Sequence, residues 1–438
     1  MQIYEEAFEI PATSGHSGLL AYLGGAVGAR IGVGLLPIRF VIAETTQNAY
    51  RCELGVVAGL DAASLAASPS MFEFRPRGRE DMSAFTAVML VPTGIGCAIG
   101  GHAGDAAPAA KLLASVCDTL IIHPNVVNAS DINEIPDNAL YVEGSVISRF
   151  LMGTLGLQRV RANRVLVVID EHPDRFFTSA AINSVNGARA SYGLACPRVI
   201  RLDPPVRVTA HYAASGRAAG RVERLHGLLD ILERYRGEYD ALAISTQVQV
   251  PDEVRAAYYQ SHGEVVNPWG GAEAIFTHAL SSLYDIPTAH SPMFESREIA
   301  RRDLGVVDPR MAAEAISTAF FNCVLKGLQR SPRIVTAPDF RHRPEVLTAA
   351  DVSCLVIPEG CVGVPTLAAL EQGIPVIAVG ENSNLMRNDL SALPWAPGQL
   401  HRVENYWEAA GVMAAIKVGM APCAVRRPLA DTLVEKRG

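Results

Sequence analysis

Ala87-Val88-Met89-Leu90-Val91-Pro92-Thr93-Gly94-Ile95-Gly96-Cys97-Ala98-Ile99-Gly100-Gly101 runs from an unbroken apolar stretch into a proline and then four glycines. An apolar run of this length without helical spacing predicts a strand buried on both faces, and the glycines predict a turn at its carboxyl end. A helical pattern opens at Ala106 and another strand at Thr119, so the unit reads strand, loop, helix, strand. That order is the signature of an α/β sheet. The grammar returns at Cys354-Leu355-Val356-Ile357-Pro358-Glu359-Gly360-Cys361-Val362-Gly363-Val364-Pro365, ahead of a helix expected over 364–372. Each copy would place a thiol, Cys97 or Cys361, at the carboxyl end of a strand, where open α/β sheets bind ligands.

Outward from these units, strands are expected at 40–43, 164–169, 241–245, 334–337 and 375–379. Helices are expected at 145–154, 179–192, 222–235, 272–284 and 311–328. The fold class is α/β, with mainly parallel or mixed sheets flanked by helices and two lobes with a cleft between them. The division reads 1–80 as a less regular segment, 81–205 as a first lobe with the glycine loop, and 206–438 as a second lobe with the Cys361 loop and a carboxyl-terminal tail. The likeness between the two cysteine segments, with 263–292 a third candidate copy, fits an internal duplication or the ordinary way α/β chains enter a strand through a turn and Ile-Pro.

With 49% hydrophobic and 19% charged side chains, the 438 residues can bury a large core, which excludes a disordered chain. A net charge of −7 without a basic cluster gives no footprint for a polyanion, so no nucleic-acid partner is expected. The amino terminus is acidic where a secretory signal is basic, and the apolar stretch from Leu19 to Ile42 carries Arg30, Arg39, Pro37 and five glycines, so neither export nor a membrane span is expected. Eight scattered cysteines contain no Cys-x-x-Cys pair, which excludes a zinc ribbon and a disulfide framework and fits a reducing cytoplasm. A homo-oligomer is compatible with all of this.

Five glycines between Gly94 and Gly104 let backbone approach a ligand closely, and the helix start at Ala106 offers unpaired N–H groups to an anion. Thr93, Gly94, Gly96, Gly100, Gly101 and Asp105 are therefore candidate substrate-binding residues; the competing role is a tight turn for helix–strand packing. The spacing misses the dinucleotide fingerprint and lacks a phosphate-loop lysine, so no cofactor is expected. His123 and Asn125 follow the next strand, Glu143 lies just beyond, and Asn382 follows the strand after Cys361. Glu273 and His278 stand five apart on one helix and His290 emerges at a strand end; their spacing matches no compact metal pattern, so no metal is expected. Cys361, Cys97, His123, His290 and Glu273 are the candidate catalytic residues, a thiol near a helix start being prone to a depressed pKa.

The run PTGIGCAIGGHAGDAAP, followed by HPNVVNA, ALYVEG, GGAEAIFTH, AHSP and VGEN, resembles an uncharacterised bacterial family known as a domain of unknown function, over about residues 85–390. The resemblance marks Gly94, Gly96, Gly100, Gly101, Asp105, His123, Asn125, Glu143, Glu273, His278, His290, Cys361 and Asn382 as motif positions; the family often has alanine at position 97 and tyrosine at 102. The phrase GCVGVPTLAALEQGIPVIAV is similar in layout to the aspartate/glutamate racemase superfamily, which implies two cysteines exchanging a proton with one carbon. Together these readings lead to the expectation of a cofactor-independent enzyme acting on a small carboxylate or amide by cysteine-assisted proton transfer or covalent catalysis, of racemase, isomerase or lyase type. A metal- or cysteine-dependent hydrolase and a metabolite-binding protein without catalysis are the alternatives.

Overall fold

The structure, a computed structural model, describes every residue except 14–17, 33, 103, 318, 430 and 437–438. Val33 of the early apolar stretch and Ala103 of the glycine segment thus lie outside the described residues. The chain forms a mixed α/β fold. A six-stranded, wholly parallel sheet runs in the order Leu400–Val403, Val376–Val379, Val352–Pro358, Thr86–Met89, Thr119–Ile122, Ala139–Tyr141. The two strands that lead into the cysteine loops are neighbours in it, with Val356 beside Met89, so both loops leave the same sheet edge side by side. Their side chains are almost wholly buried, as apolar runs in a doubly covered parallel sheet must be.

In addition to a small three-stranded and a two-stranded sheet, a ten-stranded sheet lies beside the six-stranded one. Its parallel half sets Ala195–Leu202, Arg164–Asp170, Ala241–Gln249 and Thr288–Met293 side by side; its antiparallel half joins Arg207–Tyr212, Ala218–Glu223, Gln2–Pro11, Ala49–Ala58, Leu35–Thr45 and the short Val362–Gly363. The sheets therefore combine segments from both sides of the expected boundaries at 80 and 205. One apolar cluster fills the space around the six-stranded sheet, and a second lies under the helices His226–Arg234 and Gly270–Tyr284.

The expectation that residues 1–80 are less regular is corrected, since they hold three of the longest strands. Their inward-facing charges conceal the strand pattern: Glu5 and Glu53 turn into the sheet against Arg217, which is wholly buried, and Arg39. Burial would push the Glu5 carboxyl up, but the two guanidiniums hold it below the usual carboxylate range. The helix expected over 222–235 starts later, at His226, because Ala218–Glu223 is a strand. The one expected over 311–328 is divided into Ala312–Ile316 and Phe321–Gln329. The early apolar stretch becomes the helix Leu19–Arg30 and the strand Leu35–Thr45, and among the described residues no helix is long and apolar enough to cross a membrane.

Candidate functional site

Beyond the glycine loop lies a cavity of about 190 Å³, and beside it a second of about 130 Å³. Thr93, His123, Gly144, Ala274 and His278 line both, so His123 and His278 stand on the partition. Three segments carry the histidines there. His123 follows the strand Thr119–Ile122, His278 lies on the helix Gly270–Tyr284, and His290 lies on the strand beside Ala241–Gln249, opposite Ile244.

His278 turns Nδ1 to Glu143 Oε1. Glu143 is the N-cap of the helix Gly144–Leu151, and its other oxygen accepts from the Ser145 and Val146 amides at 2.9 and 3.3 Å and from the Ser145 hydroxyl. Burial alone would raise this carboxyl, but His278 and the Ser145 hydrogen bonds bring it below the usual range. Glu143 is thereby an anion held by the helix start beside the imidazole. The ring lies so close to the helix start that a Cβ at Gly144 would meet its Cε1 at 2.9 Å. The Nδ1–Oε1 contact is an ion-pair approach without hydrogen-bond geometry, Nδ1 having no hydrogen-bond partner among the described residues, and the ring lines both cavities, where an imidazole can serve as a general base.

His123 is set up in the opposite sense. Its Nε2 accepts from the Val91 amide at 3.1 Å, so the ring proton sits on Nδ1. Burial drives its pKa down to about 4, with the neighbouring His278 adding to the fall and Glu143 opposing it. A neutral imidazole that donates a hydrogen bond can polarise a carbonyl or hold a developing oxyanion.

A second histidine–carboxylate pair joins His290 Nδ1 to Glu273 Oε2 at 2.9 Å, while His290 Nε2 is 2.8 Å from Thr246 Oγ1. A carboxylate only accepts, so Nδ1 carries a proton, and both ring nitrogens are occupied. Glu273 faces the main cavity together with Glu314, whose carboxyl is pushed up to about 8 by burial and by the Glu273 charge although part of its surface stays open to the cavity. Tyr258 and Asn267 reach Glu314 at 3.4 Å, and His102 Nδ1 lies 3.1 Å from the Tyr258 hydroxyl.

The glycine loop uses much of its own hydrogen-bonding capacity. Asp105 accepts from the Gly100 and His102 amides, Asn382 from Ile99, and Ser383 O from Ala98. The anion cradle expected there is corrected to that extent: these amides are filled by the protein. Asn125 donates to Val91 O and Gly100 O, tying the loop to its strand. The glycines serve close packing, since a Cβ on Gly101 would lie 2.0 Å from Cys97 O and Gly100 holds a φ of +84°. Thr93 crosses over Gly270, where a Cβ would come within 2.6 Å of its Cγ2. Gly94, also at positive φ, and Gly96 make the turn between Pro92 and Cys97.

Both thiols differ from the expected reactive state. Cys361 lines the smaller cavity, but burial and the Glu359 charge push its pKa far up. Cys97 is 1% exposed, lines neither cavity, and is raised by burial and by Cys361. The nearby helix start does not offset desolvation of a thiolate. Among the described residues no group of three or more His, Cys, Asp or Glu side chains is placed to hold a metal.

The family model described as "Protein of unknown function (DUF3326)" matches residues 86–426. The chain belongs to this family. It is also 34% identical over 346 residues to a Synechococcus protein described as an uncharacterized lipoprotein, which covers 78% of this chain and 93% of the relative. No solved structure matches.

The family's match takes in the six-stranded sheet, the lining of the larger cavity and all the histidines named above, whereas the smaller cavity also draws on Ile38, Arg39, Phe40, Val41 and Met71 outside it. Of the residues expected at a site, the structure brings His123, His290, Glu273, Glu143, Thr93 and Asn125 around the main cavity and Cys361 around the smaller one. Gly94, Gly96, Gly100, Gly101, Asp105, Cys97 and Asn382 lie behind the walls. Sequence reading passes over Tyr258, Glu314 and Asn267 as site residues, and considers His278 as a motif position and as a metal ligand of unsuitable spacing but not as a base. The Glu273-to-His278 spacing is the signal that could have drawn attention to His278: the two face different partners, each completing a histidine–carboxylate pair.

Proposed function

We propose that this protein is an enzyme that moves a proton at a carbon next to a carbonyl in a small metabolite, an isomerase or lyase without a redox cofactor. The single observation that carries the reading is the pairing of His278, oriented by Glu143, with neutral His123 on the wall shared by the two cavities. His278 Nε2 takes the proton, and His123 Nδ1–H supports the oxygen on which charge develops. Glu273, which lines the same cavity, is the group that returns a proton. Cys361, protonated in its cavity, is an acid or a packing group and not a ready nucleophile. An amide or other uncharged carbonyl fits better than a free carboxylate, because Arg255, the one arginine on the main wall, is already paired with Asp252 and Glu295.

Proton–deuterium exchange tests the reading. In heavy water the protein, incubated with pools of small carbonyl metabolites, should wash deuterium into one C–H position, seen by NMR, and His278→Gln should abolish exchange while leaving the fold intact. Exchange that survives His278→Gln, or is lost in Cys361→Ser alone, would move the chemistry to the thiol. The cytoplasmic expectation is part of the proposal; the Synechococcus relative's description as a lipoprotein names the competing location, and cell fractionation separates the two.

A further inference from the structure

The walls of the main cavity carry an unbalanced charge. Glu143, Glu273, Glu295 and Glu314 line it, and Arg255 is the only lysine or arginine among its lining residues. Arg255 adds no free positive charge: Nη1 is 2.7 Å from Asp252 Oδ1, and Nη2 is 2.6 Å from Glu295 Oε1 and 3.2 Å from Val250 O. Glu143 faces His278 and Glu273 faces His290, which leaves Glu314 with only the Tyr258 hydroxyl and the Asn267 amide, both at 3.4 Å or more. Glu273 and Glu314 line the same cavity, and the Glu273 charge adds to burial in raising the Glu314 carboxyl. Two carboxylates so placed repel unless a proton or another cation lies between them.

A separate observation points to a ligand. Ser291 is 1% exposed and lines this cavity, yet its Oγ has no hydrogen-bonding partner in the protein, a costly state for a buried hydroxyl. Beside the carboxylates the wall is aromatic, with Trp269 and Tyr259 standing 6.2 Å apart, centroid to centroid, and Phe294 and Phe320 further along. Aromatic faces next to carboxylates attract organic cations, since the ring quadrupole and the carboxylate charge act in the same sense.

We infer that the main cavity binds a primary ammonium group between Glu314 and Glu273 against Trp269 and Tyr259, so that the metabolite is an amine. The inference rests on the proposed function for what happens next to that amine, and on the cavity alone for its binding. The ammonium N–H donors meet Glu314, Glu273 and the Ser291 hydroxyl, and its carbon chain lies along the rings. A carboxylate in the same place would face the Glu273 charge and lose the attraction of a cation to the rings.

The test uses the full-length protein and three probes of one shape: n-butylammonium, n-butanol and butyrate, read by titration calorimetry and thermal shift. The expected result is binding of n-butylammonium at least about tenfold tighter than n-butanol, with no binding of butyrate. Glu314→Gln should remove most of that preference with an unchanged melting temperature in the absence of probe, and Glu371→Gln, exposed and outside the cavity's lining, should keep it. Equal affinity for the three probes, preference for butyrate, or retention of the ammonium preference in Glu314→Gln overturns the inference. So does a larger shift produced by Mg²⁺ or Zn²⁺ alone, which would make the carboxylates metal ligands. Ammonium binding without deuterium exchange in any amine would sink the proposed function and leave this inference standing; exchange confined to substrates without an amine would do the reverse.

Discussion

The neutrality of His123 sets a measurable signature on stability. The side chain is 6% exposed, accepts from the Val91 amide, and is held at a pKa of about 4 against an ordinary 6.5. Because the folded pKa is depressed, the unfolded chain takes up a proton that the native state refuses over that interval. The contribution is therefore intact above pH 6.5 and is lost as pH falls toward 4. The full gap corresponds to about 3 kcal/mol, of which about 2 kcal/mol disappears between pH 7 and pH 4.5. His123→Gln keeps an acceptor for the Val91 amide but cannot charge, so it should lack this loss. Urea denaturation of both proteins at those two pH values should show wild type losing about 2 kcal/mol more than the variant, with groups common to both cancelling. Equal losses in the two proteins, or an NMR titration of His123 with a midpoint near 6.5, would refute the buried neutral ring and with it the role given to His123.

Three further outcomes are expected. Asp170 ends the strand Arg164–Asp170, is 2% exposed with Oδ1 unpaired, and is pushed up to about 8 by burial; its contribution is present below the ordinary 3.8 and lost as pH rises, so Asp170→Asn should stabilise the protein by about 5 kcal/mol near pH 8 and by less than about 1 kcal/mol near pH 4, checked by chemical denaturation. Gly101→Ala places a Cβ 2.0 Å from Cys97 O, a backbone atom that cannot swing aside, and should cost about 3 kcal/mol or more in the same measurement. Iodoacetamide at neutral pH should label exposed Cys423 first and leave Cys97 and Cys361 unlabelled until denaturant is added, as read by mass spectrometry; rapid labelling of native Cys361 would restore the thiol as nucleophile.

Local periodicity and turn chemistry determine a good part of this protein. An apolar run such as Ala87–Val91, closed by Pro92 and a glycine turn, can be little else than a buried parallel strand, and its echo at Cys354–Pro358 fixes the α/β class in the same way. His123 and Glu143 can be picked out too, as titratable side chains just past strand ends, whereas Glu273 and His278 lie on a helix and His290 within a strand. What the sequence does not carry is who meets whom. Glu5 and Glu53 gain their buried partner only in Arg217, more than 160 residues from either, as Gln2–Pro11 and Ala49–Ala58 take their places in the large sheet. Asp105 and Asn382 look like ligand-binding groups until the folded loop directs them onto its own amides. The thiols look activated by helix position, yet desolvation is set by packing on all sides and outweighs that local effect. His278 becomes the candidate base only when Glu143, 135 positions earlier, comes to lie against its Nδ1, a distance along the chain that no local pattern spans.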